Sequence, residues 1–272
     1  MKKIIVGFLF TFISIYSVAQ KGKLLKGMYI QWGYNKEWYT NSTIHFKLDN
    51  GDNFKLIKAK AHDEPGLDAI IDRPKDISIP QYNYRMGFYL NKSHTRAIEL
   101  NFDHIKYIVT DGQKVRVKGI LGKQLVDADS ILKPYDFLHF EHTDGGNLLH
   151  LNYVQQNTIY KSKKNKRPIL NSIWKAGAGI NIPRTDITYY GDKFNNDFHV
   201  AGYNISVEGG MRWYFSKRFF LEGTGKTGFV KYINALANTT ELKGNRVTHS
   251  FGYFELIGLF GYDIKFQSPY FK

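Results

Sequence analysis

The sequence predicts an all-β fold, a transmembrane antiparallel up-and-down β-barrel of about ten strands with long extracellular loops. Three observations lead to this prediction: a short apolar leader, the absence of any later apolar run long enough for a spanning helix, and long segments in which apolar and polar residues alternate. Tyr, Phe and Trp also make up 16% of the chain, and aromatic residues favour strands over helices.

The leader has the three parts of a secretory signal. Met1, Lys2 and Lys3 form a positive n-region, residues 4–18 form the apolar region, and Ser17-Val18-Ala19 forms a small-x-small cleavage site. An uncleaved anchor helix is the alternative, but an apolar run of about 15 residues is shorter than the ~20 that a bilayer requires. We therefore expect residues 1–19 to be a signal peptide and residues 20–272 to form the barrel domain.

The mature chain has no later run of about 18 apolar residues, so it is not expected to cross a membrane as a helix. A chain that enters a bilayer without such a helix must close its strands into a barrel, because unpaired backbone groups are too costly in lipid. No lipobox cysteine follows the leader either. A barrel is thus the predicted membrane-spanning form.

Alternation with period two is clearest in the last predicted strand. From Thr248 to Phe266 one parity carries aromatic and aliphatic residues such as Phe254 and Leu256, and the other carries polar ones such as Glu255. A soluble sandwich also alternates, but the polar parity here mixes Gly, Asn and both charges, which is typical of a barrel interior. The predicted strands lie at 26–35, 42–48, 54–61, 81–91, 96–108, 148–160, 169–182, 199–215, 219–234 and 247–266.

Short and long connections alternate between these strands. Outer-membrane barrels have short periplasmic turns and longer outer loops, and an even number of strands leaves both termini in the periplasm. The predicted short turns are Asp49–Asn53, Asn91–Thr95, Ser162–Arg167 and Ser216–Arg218, and the longest loops are 62–80 and 109–147. Counting 113–121 and 135–143 as spanning strands would raise the total to twelve, although 113–121 is short for a crossing of ~9–11 residues.

From the signal Met1–Ala19 to the closing strand Thr248–Phe266, the chain resembles small outer-membrane β-barrel proteins of Gram-negative bacteria. The resemblance is architectural and implies contact with outer-membrane lipids, including lipopolysaccharide, and with the barrel-insertion machinery. Such barrels usually end on an aromatic residue, whereas this chain ends on Lys272. The insertion signal is then either Phe266 or Phe271.

The predicted inward parity collects charged residues of both signs. A barrel of about ten strands is only slightly wider than the eight-stranded type that side chains fill, so these charges are expected to pair and close the lumen. A hydrophilic pore is the alternative. The predicted network comprises Arg85, Glu99, Asp103, Lys175, Glu208, Arg212, Glu222, Lys226, Glu255 and Asp263.

The loop 109–147 holds the densest group of ligand-type residues, His139, Glu141, His142 and Asp144. On a strand, His139 and Glu141 share a face while His142 points away, so three ligands would not converge without a bulge. The chain has no cysteine, which excludes disulfides, thiolate metal sites and cysteine nucleophiles. We therefore assign no catalytic residue, no metal and no cofactor.

These observations favour a non-enzymatic barrel that presents loops for envelope integrity, adhesion or docking of an envelope protein. A lipid-modifying enzyme is one alternative, because some similar barrels are lipid A deacylases with a His and a Ser two residues apart. Here His249 and Ser250 are adjacent and would face opposite sides. A narrow channel is the other alternative. The net charge of +14 is scattered without a recognition motif, so nucleic acid is not an expected partner.

Overall fold

The computed structural model describes residues 26–68, 72, 80–143 and 145–264. The predicted signal peptide 1–19 and both candidate insertion residues, Phe266 and Phe271, lie outside this range. No helix among the described residues is long and apolar enough to cross a membrane. The strands are β1 (Met28–Tyr39), β2 (Ser42–Lys47), β3 (Asn53–Ala59), β4 (Ala61–His62), β5 (Tyr82–Tyr89), β6 (Arg96–Asp103), β7 (Tyr107–Val109), β8 (Lys114–Leu121), β9 (Gln124–Ile131), β10 (Leu138–His142), β11 (Gly146–Lys161), β12 (Pro168–Pro183), β13 (Asp186–Tyr189), β14 (Asp192–Asn195), β15 (Gly202–Trp213), β16 (Phe219–Leu236) and β17 (Arg246–Ile264).

Within the described part of the chain, eight strands form a closed antiparallel ring in the order β1, β5, β6, β11, β12, β15, β16 and β17. The ring closes because β17 pairs with the whole length of β1, from Met28 opposite Ile264 to Tyr39 opposite Tyr253. Closure leaves no free sheet edge in the wall, which is the condition for strands to span lipid. The predicted all-β transmembrane barrel is confirmed.

The ring has eight strands rather than the predicted ten, because the segments 42–48 and 54–61 lie outside it. β2 continues β1 beyond the bend at residues 40–41 and pairs with the first residues of β17, from Arg246 to Thr248. β3 then folds back on β2. Apolar and polar residues do alternate in both segments, but the apolar side chains pack into a protein core and not against lipid. The turn Asp49–Asn53, predicted on the periplasmic side, therefore lies at the opposite end with the long connections.

The alternative with twelve spanning strands is also wrong. Of its two additional segments, 113–121 corresponds to β8, which pairs with β3 and β9, and 135–143 contains β10, which pairs with β7 and β13. Both segments belong to the long connection between β6 and β11 and lie outside the ring. Periodicity alone does not separate a strand that faces lipid from one that faces a second sheet, since both alternate with period two.

The outer wall of the ring is apolar and its interior is polar. Trp174 on β12, Ile205 on β15 and Leu256 on β17 are exposed on the outside, whereas neighbours of opposite parity such as Lys175 and Glu255 are buried inside. β11, β12, β16 and β17 are 16 to 19 residues long. A crossing needs only about 9–11 residues, so these strands extend beyond a bilayer.

The long connections fold into a two-layered structure at one end of the ring, which we call the cap. One layer is β2, β3, β8 and β9, which extend the sheet from β17, and the other is a five-stranded sheet in the order β14, β13, β10, β7 and β4. Phe46 and Phe54 on the first layer contact Phe140 and Tyr189 on the second, with ring centroids 5.3 and 6.3 Å apart. The two layers of the cap therefore enclose a hydrophobic core, to which the adjoining ends of β16 and β17 also contribute.

Replacing Phe140 with alanine should unfold the cap without opening the ring. Phe140 is fully buried among the core side chains of the cap, so its removal should lower the free energy of unfolding of the cap by about 3–5 kcal/mol. Limited proteolysis in increasing urea would report on the cap, and migration on unheated gels would report on the barrel. The control Phe198→Ala, at an exposed position, should change neither. Loss of both signals together in Phe140→Ala would show that cap and ring unfold as one unit.

Candidate functional site: the lumen and its junction with the cap

All ten residues of the predicted lumen network lie on ring strands and are buried inside the barrel. Their positions follow from parity, since alternate residues of every ring strand face the interior. Four of the ten are cations and six are carboxylates, so the interior carries a small excess of acid. The structure brings nine of them into direct ion pairs, and the tenth, Asp263, accepts a hydrogen bond from the Tyr89 hydroxyl at 2.8 Å.

Lys175 is at the centre of the network. Its ammonium nitrogen Nζ lies 2.7 Å from Glu222 Oε1, 3.1 Å from Glu99 Oε1 and 3.3 Å from Glu208 Oε1. The guanidinium of Arg85 reaches the same group, with Nη1 at 2.6 Å from Glu208 Oε1. Two cations from β5 and β12 therefore hold three carboxylates from β6, β15 and β16 across the full width of the barrel.

Arg212 fills the lumen towards the end with the short turns. Its Nε donates a hydrogen bond to Glu222 Oε2 at 2.7 Å, and its Nη2 lies 2.6 Å from the same carboxylate oxygen. The rings of Tyr29 and Phe220 both contact the guanidinium, with centroids 4.3 and 4.2 Å from its carbon Cζ. The two rings meet edge to face, with centroids 6.2 Å apart, so guanidinium and aromatic groups fill this level of the lumen.

A second group of charges lies towards the cap. Lys226 contacts Asp103 directly and Glu255 Oε2 at 3.6 Å. Glu255 Oε1 also accepts a hydrogen bond from Asn35 Nδ2 at 2.6 Å, and Asn83 Nδ2 donates to Asp103 at 2.5 Å. Neither asparagine belongs to the network predicted from the sequence, which comprises charged residues alone. Both have the inward parity of their strands, and that is the signal by which the sequence could have indicated them.

Replacing Lys175 with methionine should strongly destabilise the barrel. The change removes one cation from three buried carboxylates, and breaking a buried ion pair by removing one partner costs about 3–5 kcal/mol. The temperature at which the protein loses its anomalous migration on unheated gels would measure the effect.

The control Lys163→Met, in an exposed turn, should leave that temperature unchanged. Adding Glu222→Gln to Lys175→Met should recover part of the loss, because one unpaired carboxylate becomes neutral. An unchanged temperature in Lys175→Met alone would contradict the role of the ion pairs.

Where the lumen meets the cap, four buried side chains form a hydrogen-bonded row that we call the junction cluster: Ser42, His249, His142 and Thr185. His142 Nε2 lies 3.2 Å from His249 Nε2, so one of the two nitrogens donates to the other. Thr185 Oγ1 lies 3.0 Å from His142 Nδ1, and Ser42 Oγ lies 3.4 Å from His249 Nδ1. His249 belongs to the ring and His142 to the cap, so the cluster joins the two.

The predicted loop group His139, Glu141, His142 and Asp144 does not converge. His139 Nε2 contacts Glu141 Oε2 at 3.2 Å on one face of β10, while His142 points to the other face and into the junction cluster. Asp144 lies outside the described residues. No group of three or more His, Cys, Asp or Glu side chains in the described ranges is arranged to hold a metal ion. The hydrogen bond that His139 donates to the Glu141 carboxylate raises the pKa of His139 to about 9.

The adjacent residues His249 and Ser250 point to opposite sides of β17, as their parity requires. The hydroxyl that approaches the His249 ring belongs instead to Ser42, whose Oγ also donates to the Ser250 carbonyl at 2.9 Å. Ser42 and His249 are 207 residues apart in sequence and are both buried. No local motif would have found this pair, and its burial favours a structural role over a catalytic one.

Acidification should loosen the cap through His142. Burial lowers the pKa of His142 from 6.5 to about 3. The unfolded chain then takes up the proton first as the pH falls, so the free energy of unfolding of the cap should decrease between about pH 6.5 and pH 3. The limiting slope for one such group is about 1.4 kcal/mol per pH unit.

Urea titrations of cap proteolysis at pH 7, 6, 5 and 4 would measure this slope. His142→Phe should be less stable at pH 7 but should show a shallower dependence on pH, because the titrating group is gone. His45→Phe, on the outer face of β2, is the matched control and should keep the slope of the native chain. Equal slopes in all three proteins would contradict the assignment to His142.

No protein-family model and no curated protein matches this chain. Among solved structures it is similar to Neisserial surface protein A, with a TM-score of 0.38 and 9% identity over 88% of this chain and 97% of the other. It is also similar to the outer membrane protein OprG from Pseudomonas aeruginosa, with a TM-score of 0.40 and 13% identity over 90% and 99%.

A third similar structure is the attachment invasion locus protein Ail of Yersinia pestis, with a TM-score of 0.33 and 11% identity over 89% of this chain and 100% of the other. These proteins are small barrels of the kind that the sequence resembles. Because the TM-scores lie below 0.5, they carry no argument about the activity of this chain.

Proposed function

We propose that this protein is an integral outer-membrane anchor with a closed lumen, which presents a folded, non-enzymatic cap at the cell surface. The observation that carries this proposal is the continuous filling of the barrel. Ion pairs around Arg212, Lys175 and Lys226 occupy successive levels of the lumen, and the junction cluster and the cap core follow above them. Such filling suits a support better than a channel.

The orientation follows from the lengths of the connections. The ring turns at residues 90–95, 162–167 and 214–218 lie at one end of the barrel, the end where β1 begins and β17 ends. Short turns face the periplasm in barrels of this kind. The cap, built from the long connections at the other end, would then face the outside of the cell.

Contact with outer-membrane lipids is part of the proposal. The outer surface of the ring is an exposed apolar wall, which includes Trp174, Ile205 and Leu256. In the proposed location lipid would cover it. Above it, on the same outward parity, β2 and β17 carry Lys47 and Arg246 opposite each other. In the proposed orientation these cations would attract phosphate groups of the outer leaflet, including those of lipopolysaccharide.

The role at the surface would be adhesion, envelope integrity or docking of an envelope protein. The cap suits such a role because its two sheets share a buried core and are joined to the ring by the junction cluster. A partner would meet a preorganised surface, which lowers the entropic cost of binding. For a lipid-modifying enzyme, two Ser–His contacts are observed within the described residues, Ser42–His249 and Ser206–His150. Both pairs are buried, which argues against that alternative.

Cysteine labelling of intact cells would test the topology, because the native chain has no cysteine. Leu125→Cys, at the tip of the cap, should react with a membrane-impermeant maleimide in intact cells. Lys164→Cys, in a short turn, should react only after the outer membrane is permeabilised. Purified protein in planar bilayers should give no conductance steps, in contrast to a general porin used as positive control. Reversed labelling would overturn the orientation, and steady conductance would overturn the closed lumen.

A further inference from the structure

The hairpin of β8 and β9 forms the last two strands of the outer layer of the cap. Its two-residue turn, Gly122-Lys123, has positive φ at both positions, 58° and 64°, as a type I′ turn requires. That turn fixes the register from Leu121 opposite Gln124 to Lys114 opposite Ile131. β9 is therefore a regular strand of 8 residues and not an irregular loop.

β9 is an open edge, since among the described residues its only neighbour is β8. Leu132 directly follows β9 and forms hydrogen bonds with the residues that precede β8. Its amide donates to the Gln113 carbonyl at 3.0 Å, and its carbonyl accepts from the Gly112 amide at 2.7 Å. Hydrogen-bonded and non-hydrogen-bonded pairs alternate along an antiparallel ladder. The amides and carbonyls that face the open edge therefore belong to Leu125, Asp127, Asp129 and Ile131.

The same four residues present an apolar, acidic, acidic, apolar row on the outward face. Leu125 is 87% exposed and Ile131 is 51% exposed, which is unusual for large apolar side chains on a sheet edge. Asp127 and Asp129 lie between them and are half exposed. A strand added to this edge would place its own alternate residues directly opposite this row.

The charges across the hairpin indicate what that strand should carry. Asp127 contacts Arg116 at 2.8 Å and Lys118 at 3.6 Å, and Asp129 contacts Lys114 at 3.2 Å. The outward face thus carries cations on β8 and carboxylates on β9. A further strand with cations at the facing positions would continue this alternation of charge from strand to strand. Opposite charges at facing positions stabilise an antiparallel pair, while like charges destabilise it.

A second copy of this chain fits the edge poorly. A twofold pairing of β9 with β9 centred on Ala128 would place Asp127 of each copy opposite Asp129 of the other. Those like charges would oppose the pairing. An extended segment with basic side chains meets no such conflict.

We infer that the open edge of β9 is a docking site for one extended strand of a partner protein, with apolar, basic, basic and apolar residues at alternate positions. Binding would proceed by strand addition: backbone hydrogen bonds to residues 125, 127, 129 and 131 supply affinity, and ion pairs to Asp127 and Asp129 supply selectivity. This inference deepens the proposed docking role, but it concerns the cap alone and does not depend on which side of a membrane the cap faces.

The test uses the full chain in detergent micelles and a fluorescent, disulfide-cyclised hairpin peptide. The free strand of the peptide carries Val, Lys, Lys and Val at alternate positions, and a matched peptide carries Glu in place of both Lys. Cyclisation preorganises the strand and so limits the entropy lost on binding. Fluorescence anisotropy should show that the Lys peptide binds at least tenfold more tightly than the Glu peptide.

Two protein variants separate backbone pairing from simple charge attraction. Asp129→Pro removes an amide that faces the open edge but not a bond to β8, a position that an edge strand tolerates. It should weaken binding at least tenfold more than Asp129→Asn, which removes the same charge and keeps the amide. Asp127→Lys combined with Asp129→Lys should reverse the preference towards the Glu peptide. Asp136→Lys combined with Asp197→Lys changes the net charge equally at exposed sites elsewhere in the cap and should leave the preference intact.

Migration on unheated gels and resistance of the cap to proteolysis would confirm that each variant is folded. Absence of selective binding by the native chain would overturn the inference and leave the aspartates as guards against unwanted pairing. Binding that survives Asp129→Pro would also overturn it. A dimer in density-matched ultracentrifugation that Asp129→Pro abolishes would assign the edge to a second copy instead. Failure of the surface-labelling experiment would leave these binding results unaffected.

Discussion

The pairing of β17 with β1 is the constraint on which the rest of the structure depends. It closes eight strands into a ring, so every strand of the wall has a neighbour on both sides. Closure also creates an interior that is too narrow to hold bulk water and too polar to collapse as an apolar core. Once the ring is closed, the inward side chains must satisfy one another.

The charged side chains of the lumen meet this requirement by pairing with one another. Lys175 and Arg85 each contact more than one carboxylate, so the removal of any single partner would leave charge unpaired in a space without solvent. Buried ion pairs of this kind add little stability relative to apolar packing, but they tolerate few alternative arrangements. Here they connect the ring strands β5, β6, β12, β15 and β16 through their side chains and fill the lumen.

In the cap the same alternating pattern buries its apolar side chains against a second sheet and not against lipid. β1 and β17 continue beyond the wall into a sheet whose apolar parity meets a second sheet, so Phe46 and Phe140 pack as they would in a soluble sandwich. The two parts meet at His142 and His249, one from each. The two layers of the cap pack on a core that the ends of β16 and β17 complete, and β9 ends the outer layer with β8 as its one neighbour among the described residues.

The sequence by itself determined the strand class, the parity of most wall strands and the identity of the charged lumen residues, because a period of two separates the two faces of a strand wherever it lies. Only the tertiary structure decided that 42–48 and 54–61 lie outside the ring. The apolar face of a strand has the same residue types whether it contacts lipid or a second sheet. The tertiary structure also decided the Ser42–His249 and His142–His249 contacts, which join positions more than 100 residues apart. Local periodicity carries no information about which distant strands become neighbours.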